Sequence, residues 1–359
     1  PVPWLTDRML AQWAEGAGDN KPPAVWLLND VNPLFTMPPS IPIRRLFEQS
    51  EYLGSFSSFL DESTEMADLI LPDHSSLESW GDHVPSASSP AQVVSLLQPS
   101  VSPLYDSRAL GDTILHIAAR LGLPGLSWKD FPSLLQDRWR QRFPGDGDNT
   151  GEAGVESTWV HYLQQGGWWN IPAPDMNAKQ ASAPPPYEPA RFDGAPKEFP
   201  FYLLPYPSMS LGHGRGANLP WLQELPDTLT TAMWGSWVEI NPATAGSLGV
   251  AQGDVVRIHS RHGTLDVPAL LVPGIRPDVI AVPIGQGHTN YGRYGSNRGV
   301  NPLSIVAPLF DGRSGSLASG ATRVRIEPTA TKGSLVLLER PGVDPGHALL
   351  SIRRSRPGT

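Results

Sequence analysis

Runs of apolar residues, each closed by polar or turn residues, divide the chain. "AVWLLND" (24–30) is a short apolar run ending in turn residues, as a buried parallel strand does. "PIRRLFEQS" (42–50) has helical spacing, and "YLGSFSSFL" (52–60) reads as the next strand. "DESTEMAD" (61–68) suits a helical turn beginning near Glu62 or Ser63, and "LILP" (69–72) a very short strand. The clearest helix is "DSRALGDTILHIAARLG" (106–122). Leu110, Ile114, Ile117, Ala118 and Leu121 share one face, and Gly122 can cap its end. Strands alternating with helices predict an α/β layer over residues 1–143.

From 144 to 198 the periodicity stops. Pro, Gly, Ala and Ser dominate, which predicts a linker or wrap-around segment with little regular structure. "WVHYLQQGGWWN" (159–170) is an aromatic island in it, suited to a helix that docks on a neighbour. From 199 to 330 the pattern is β: "FYLLPY", "SWVEI", "GDVVRIHS", "GTLDVPALLV" and "DVIAVPIG" are separated by turn signals. "NPATAGSLG" (241–249) is a short helix among them. Several short strands in so few residues predict a β-barrel. The tail, 331–359, holds one more strand candidate, "GSLVLLER".

Composition narrows the picture. The 359 residues suffice for two or three domains, and the formal net charge of −8 leaves no basic footprint for nucleic acid. No run of about 18 apolar residues occurs, so a membrane would be reached only through partners. Cysteine is absent, which excludes disulfides and Cys-ligated iron–sulfur or zinc sites within the chain. The first residue is Pro1 and no signal-peptide pattern follows, as expected of a trimmed or partial product. The 12 Trp are commonest in cores, though stacking sites and interfaces also use them.

Two stretches carry candidate chemistry. "GQGHTNYGRYGSNRGVNP" (285–302) follows a strand and holds five Gly, two Tyr, one His, two Arg and three Asn. Glycine lets backbone approach a ligand, and the other side chains supply donors, acceptors and flat faces. A decorated surface loop has the same composition. "LDESTEMADLILP" (60–72) sets Asp61, Glu62, Glu65 and Asp68 between apolar runs. It is either a solvated acidic turn or a set of carboxylates at strand ends, where α/β sheets bind ligands. Asn29, Asp30 and Asn32 would share that rim. Elbow, phosphate-loop and zinc-helix motifs are missing, "GHGRGA" (212–217) reads as a plain loop, and the nine His show no metal-ligand spacing. "DGDNTG" (146–151) starts like an EF-hand loop but meets Ser157 where a Glu is needed.

Three stretches in order, "VWLLNDVNPLFTMP", "FLDESTEMADLILPDHSSLESWG" and "WVEINPATAGSLGVAQGDVVRIHSRHG", resemble the molybdopterin oxidoreductases of the dimethyl sulfoxide reductase type. Glu62, Ser63, Ala67, Asp68, Leu71 and Pro72 match the second of that family's motifs. The resemblance implies a partial Rossmann-like parallel α/β domain followed by a double-psi β-barrel that binds molybdopterin guanine dinucleotide. "GRGANLPWLQELPD" and "GQGHTNYGRYGSNRGVNPL" are similar to the molybdopterin-like iron–sulfur subunit of alternative complex III and related quinol-linked respiratory complexes. In that branch the fold is retained as a scaffold without molybdenum; in active relatives it holds a bis-dinucleotide metal cofactor and reduces or oxidises a small substrate.

The resemblance implies one side of a nucleotide pocket at Asn32, Glu62 and Asp68. It implies the other at Tyr206, Asn218, Gln286, His288, Tyr291, Arg293 and Asn301. It also implies partners: the rest of the same subunit with its iron–sulfur domains, other respiratory-complex subunits, and an extracytoplasmic location. The cluster domain and the metal-ligand region of the family are not in these residues, so the piece alone is expected to be inactive.

Overall fold

The computed structural model describes residues 5–16, 21–85, 92–143, 152–170 and 189–338. The stretch "DGDNTG" (146–151), most of the Pro-rich segment and the end of the tail lie outside the described residues.

Three strands, β1 (Val25–Leu28), β2 (Tyr52–Ser55) and β3 (Leu69–Ile70), form a parallel sheet in the order β1-β2-β3. Trp26, Leu28 and Leu53 face a core closed by Leu10 and Ala11 of helix Asp7–Ala14 and by Ile43, Leu46 and Phe47 of helix Ile43–Glu48. Strand β2 is shorter than expected, and the chain leaves it at Phe56. The link to β3 holds only the 3-10 turn Thr64–Met66.

A second unit joins β4 (Gly81–His83), β5 (Gln92–Leu97) and β6 (Gly167–Asn170) in an antiparallel sheet. Val94 and Leu96 pack on Leu135, Trp139 and Trp159 from helices Phe131–Arg142 and Glu152–Gln165. Segment 144–198 was expected to hold little regular structure apart from a docking helix at the aromatic island; the described residues 152–170 form such a helix and add a strand. The aromatic island forms the second half of the helix and the strand; Trp159 is buried and Trp168 partly buried in this core, while Trp169 is 50% exposed. Trp159 stands edge-on to Trp139 at 6.2 Å, and Trp168 stacks on Phe143 at 4.6 Å. Composition masked the strand because the Pro-rich neighbours dilute a short apolar signal.

Helix Leu110–Leu121 ends at Gly122 with φ 65°, as its C-cap reading required. Its buried face differs from the expected one: Thr113, Leu115 and Ala118 are buried, while Ile114, Ile117 and Leu121 are 36%, 39% and 67% exposed. Packing against helix Phe131–Arg142 decides the orientation. Gly111 sits so close to the Phe131 ring that a Cβ there would meet ring carbons at 2.4 Å.

The last unit contains β7 (Phe201–Pro207), β8 (Ala232–Met233), β9 (Val238–Ile240), β10 (Asp254–His259), β11 (Thr264–Leu271), β12 (Val279–Ile284), β13 (Arg323–Lys332) and β14 (Val336–Leu337). Six of these close a barrel in the order β10-β11-β9-β12-β7-β13, with β11–β9 and β12–β7 parallel and the other pairs antiparallel. The mixed pairing and closure match the expected barrel. Val238, Ile240, Val256, Ile258, Val267, Ile280 and Val324 fill its interior. Strand β13 was not expected, although Val324 and Ile326 alternate with Arg323 and Arg325 as a half-buried strand requires. The candidate strand in the tail reduces to β14, which pairs with β8. Helix Pro242–Leu248 is capped by the Asn241 side chain on Ala243 N at 2.9 Å and ends at Gly249 with φ 68°.

Candidate functional site

The carboxyl end of the parallel sheet meets the glycine-rich loop that follows β12. Glu62 is the meeting point. The residue is 7% exposed, and Asn32 donates to its Oε2 at 2.7 Å. The backbone amide of Thr289 donates to Oε1 at 2.7 Å, and that of Asn290 at 3.3 Å. His288 Nδ1 lies 3.1 Å from Oε2. Ser63 extends the group: its hydroxyl donates to Asn32 Oδ1 at 2.7 Å and accepts from Leu34 N at 3.1 Å.

Burial alone would push the Glu62 carboxyl up; the hydrogen bonds from His288 and Asn32 outweigh it and hold the group at about 2. Asp61 next door goes the other way. Burial raises it, and the Thr64 and Ser63 amides it accepts from only partly oppose this. Neighbouring carboxylates thus divide the work: Asp61 closes the local turn, and Glu62 reaches the barrel.

His288 is 3% exposed and lies between two rings, stacked on Phe35 at 3.7 Å and on Tyr291 at 4.7 Å. Its Nε2 faces the Gly214 carbonyl at 3.2 Å. Both ring nitrogens therefore face acceptors. Gly214 has φ 108°, and a Cβ there would meet His288 Nε2 and Phe35 Cε1 at 2.6 Å. Gly287, with φ 93°, would drive a Cβ to 2.2 Å from Asn301 N. Gly287, in the run whose glycines were expected to admit a ligand, admits this chain's own atoms, and so does Gly214.

Asn301 donates to the Phe35 carbonyl at 2.7 Å and caps the turn Pro302–Ile305 through Leu303 N at 3.0 Å. Tyr291 donates to the Arg215 carbonyl at 2.8 Å; burial, reinforced by Asp61 and Asp30, pushes its hydroxyl up to about 12. Arg215 forms an ion pair with Asp30 at the end of β1. Burial raises the Asp30 carboxyl in spite of that partner.

Of the ten residues expected at the pocket, Asn32, Glu62, His288, Tyr291 and Asn301 come together in this network. Asp68 stands apart: its Oδ2 accepts from Leu53 N at 2.8 Å and fastens β3 to β2. Tyr206 is spent in the barrel wall, donating to Glu239 Oε1 at 2.5 Å, and burial raises its hydroxyl. Gln286 pairs with buried Gln223, its Nε2 donating to Gln223 Oε1 at 2.6 Å, beside a cavity of about 20 Å³ that has room for one water. Asn218 and Arg293 remain at the surface of the loop. Asn218 packs on Gly292 so tightly that a Cβ there would strike its amide, and Arg293 is exposed over the Tyr294 ring. Neither side chain makes a hydrogen bond among the described residues. The larger open groove, about 610 Å³, lies in the second unit between Trp80, Val101 and Phe131 and touches none of the ten.

Three participants were missed from sequence: Phe35, Gly214 and Gln223. Phe35 follows the quoted Asn-Pro pair, and Gln223 lies in "PWLQELPD"; both were read as context. Their partners are more than 60 residues away, so local pattern could not single them out.

The donors that remain free fit an anionic group lying across the loops. Asn218 packs on Gly292 and Arg293 follows that glycine in the chain; a guanidinium and an amide suit phosphate or pyrophosphate oxygens. The interior of the loop does not fit one, because its polar groups are paired with protein. No cluster of three or more His, Asp or Glu suited to a metal ion exists among the described residues, and no described helix is long and apolar enough to cross a membrane.

Comparison with known proteins agrees with this geometry. Residues 224–319 match the family described as "Molydopterin dinucleotide binding domain". The menaquinone reductase, molybdopterin-binding-like subunit of Nitratidesulfovibrio vulgaris is 26% identical over 306 residues, covering 83% of this chain and 41% of that protein. The arsenate respiratory reductase molybdopterin-containing subunit of Shewanella sp. is 26% identical, covering 77% and 41%. The chain thus spans less than half the length of these relatives. Acetylene hydratase from Pelobacter acetylenicus superposes with a TM-score of 0.66 at 17% identity, covering 89% of this chain and 46% of that one, which shows a shared fold. The chain is similar to the C-terminal half of molybdopterin oxidoreductases of the dimethyl sulfoxide reductase type, with a molybdopterin dinucleotide-binding domain matched over residues 224–319.

Proposed function

We propose that this chain is the dinucleotide-facing part of a subunit in a quinol-linked respiratory electron-transfer complex. It would hold molybdopterin guanine dinucleotide across the outer face of its glycine-rich loop. The observation that carries this reading is the pair of uncommitted donors, Asn218 and Arg293, at the junction of loops 212–218 and 285–302, beside the matched domain's own barrel. Arg293 would take the pyrophosphate and Asn218 a neighbouring polar atom. Glu62, Asn32, His288 and Asn301 would not touch the cofactor; they hold the two loops and the sheet end in one place. When bound, the cofactor supplies the redox chemistry, and the protein orients and shields it.

A second reading has its own support. Most of the polar groups expected to face a ligand are paired within the chain, which suits a fold kept as a cofactor-free scaffold beside iron–sulfur partners. Metal analysis and pterin fluorescence on the native protein separate the two. Stoichiometric pterin supports the first reading; its absence, with clusters intact in the partners, supports the second. A stoichiometric molybdenum or tungsten content with substrate turnover would instead indicate an active oxidoreductase. The extracytoplasmic location belongs to the proposal, and fractionation of the producing cell tests it.

A further inference from the structure

Loop 212–218 runs alongside the glycine-rich loop. The Tyr291 hydroxyl donates to the Arg215 carbonyl at 2.8 Å, and Asn218 packs on Gly292. Arg293 follows that glycine in the chain. Arg215 therefore belongs to the same junction as Asn218 and Arg293, with one difference: its charge is already engaged. It pairs with Asp30, which lies just past the end of β1.

This pair is not built as a permanent fastening. The Arg215 side chain is 78% exposed and that of Asp30 45%, so water screens both charges. Contact runs from one guanidinium nitrogen, Nη2, to one carboxylate oxygen, Oδ2, and leaves the rest of the planar fork unused among the described residues. Desolvation raises the Asp30 carboxyl more than Arg215 lowers it, so Asp30 keeps its charge against its surroundings. Its backbone also sits at φ 54°, in the left-handed region that side-chain-bearing residues rarely adopt. The deep link between the sheet end and the barrel lies elsewhere, in Glu62, His288 and Asn301.

We propose that Asp30 is a built-in competitor for an anionic ligand: its carboxylate caps Arg215, and a phosphate or pyrophosphate group takes Arg215 from it on binding. The inference rests on the reading of this junction as a dinucleotide site. Carboxylate and phosphate suit the same guanidinium geometry, so one replaces the other by a side-chain movement alone. Asp30 opposes the ligand twice. It must be displaced from Arg215, and once displaced it is a like charge beside the bound phosphate. A tethering role for Asp30 predicts the reverse, because its loss would loosen loop 212–218 and weaken binding.

Calorimetric titration with guanosine diphosphate tests this on the full-length subunit, produced in a host that makes no pterin. Asp30→Asn removes the charge and keeps a residue type that tolerates the left-handed backbone. It is expected to bind the nucleotide about fivefold tighter than wild type, the scale of an exposed ion pair. In an Arg215→Gln background the same substitution is expected to change affinity by less than about twofold, since the two residues act as one unit. Unchanged or weaker binding by Asp30→Asn overturns the proposal. So does a gain that persists without Arg215, or the absence of binding in every variant. If Asp30→Asn unfolds the protein, Asp30→Gly, which accepts the same backbone, is judged by the same outcomes. The dinucleotide reading fails on a different variant: Arg293→Gln binding as tightly as wild type counts against it, and a gain from Asp30→Asn alongside that result leaves the cap standing.

Discussion

The barrel and the parallel sheet make an informative pair, since each uses strands of similar composition and they end in opposite conditions. The barrel closes on itself: six strands leave no free edge, and Val238, Ile240, Val256, Ile258 and Ile280 are fully buried. The three-stranded sheet is finished on one face only, and half of β1 points to solvent. A barrel is a complete solution to burial. A parallel sheet is not, because it depends on layers that its own strands do not supply. What joins the finished unit to the unfinished one is polar: Glu62 and Asn301 reach across between them.

The sharpest way to break the comparison is to remove equal volume from both sides. Ile258→Ala is expected to cost about 4 kcal/mol, since a fully buried aliphatic side chain leaves a cavity in a closed interior. Urea unfolding followed by Trp fluorescence measures it. If the loss is under about 1 kcal/mol, the barrel is not the stable unit.

The joint between the units comes next. Glu62→Gln keeps the size but removes the charge that five hydrogen-bonding groups face, and about 3 kcal/mol of stability is expected to go with it. The same group sets an acid limit. Its folded value, about 2, lies below its ordinary value of 4.5, so its contribution is full above pH 4.5. It is lost as the pH falls through 2, on the order of 3 kcal/mol in all. Asp61, shifted the other way, gives back a little on acidification. A pH series of melting temperatures in the wild type and in Glu62→Gln should converge toward pH 2. Parallel curves down to that pH would show that Glu62 does not carry the acid sensitivity.

A smaller effect tests a boundary inside the barrel. Asn241→Ala removes the side chain that caps helix Pro242–Leu248 and also donates to the Ile275 carbonyl at 2.7 Å. A loss of about 1 kcal/mol is expected in thermal unfolding.

How far these features could be read in advance depends on the distance between partners. Asn241 and Gly249 bracket their helix through neighbours, and both were legible. The strands of the barrel were legible except β13, whose alternating Arg and Val hides a wall strand in a polar run. The buried face of helix Leu110–Leu121 was misread because periodicity finds an apolar stripe but not the neighbour that selects a face. The motif residues Asn32, Glu62 and His288 were found, yet their arrangement was not. The expected ligand contacts are largely contacts with each other, fixed by pairings across 30 and 226 residues. Glycine at 287 marked a close approach, while nothing in the sequence singled out Gly214 or showed that the approaching atoms were the protein's own.

The smallest effect sharpens the comparison most. Leu27→Ala removes three carbons from a strand residue, as Ile258→Ala does from another, but the side chain is half exposed and touches no finished core. In the isolated chain the expected change is at most about 0.5 kcal/mol, the range of ordinary surface substitutions. If Leu27→Ala costs as much in the isolated chain as Ile258→Ala, the open face is already covered, and the sheet and the barrel are alike after all.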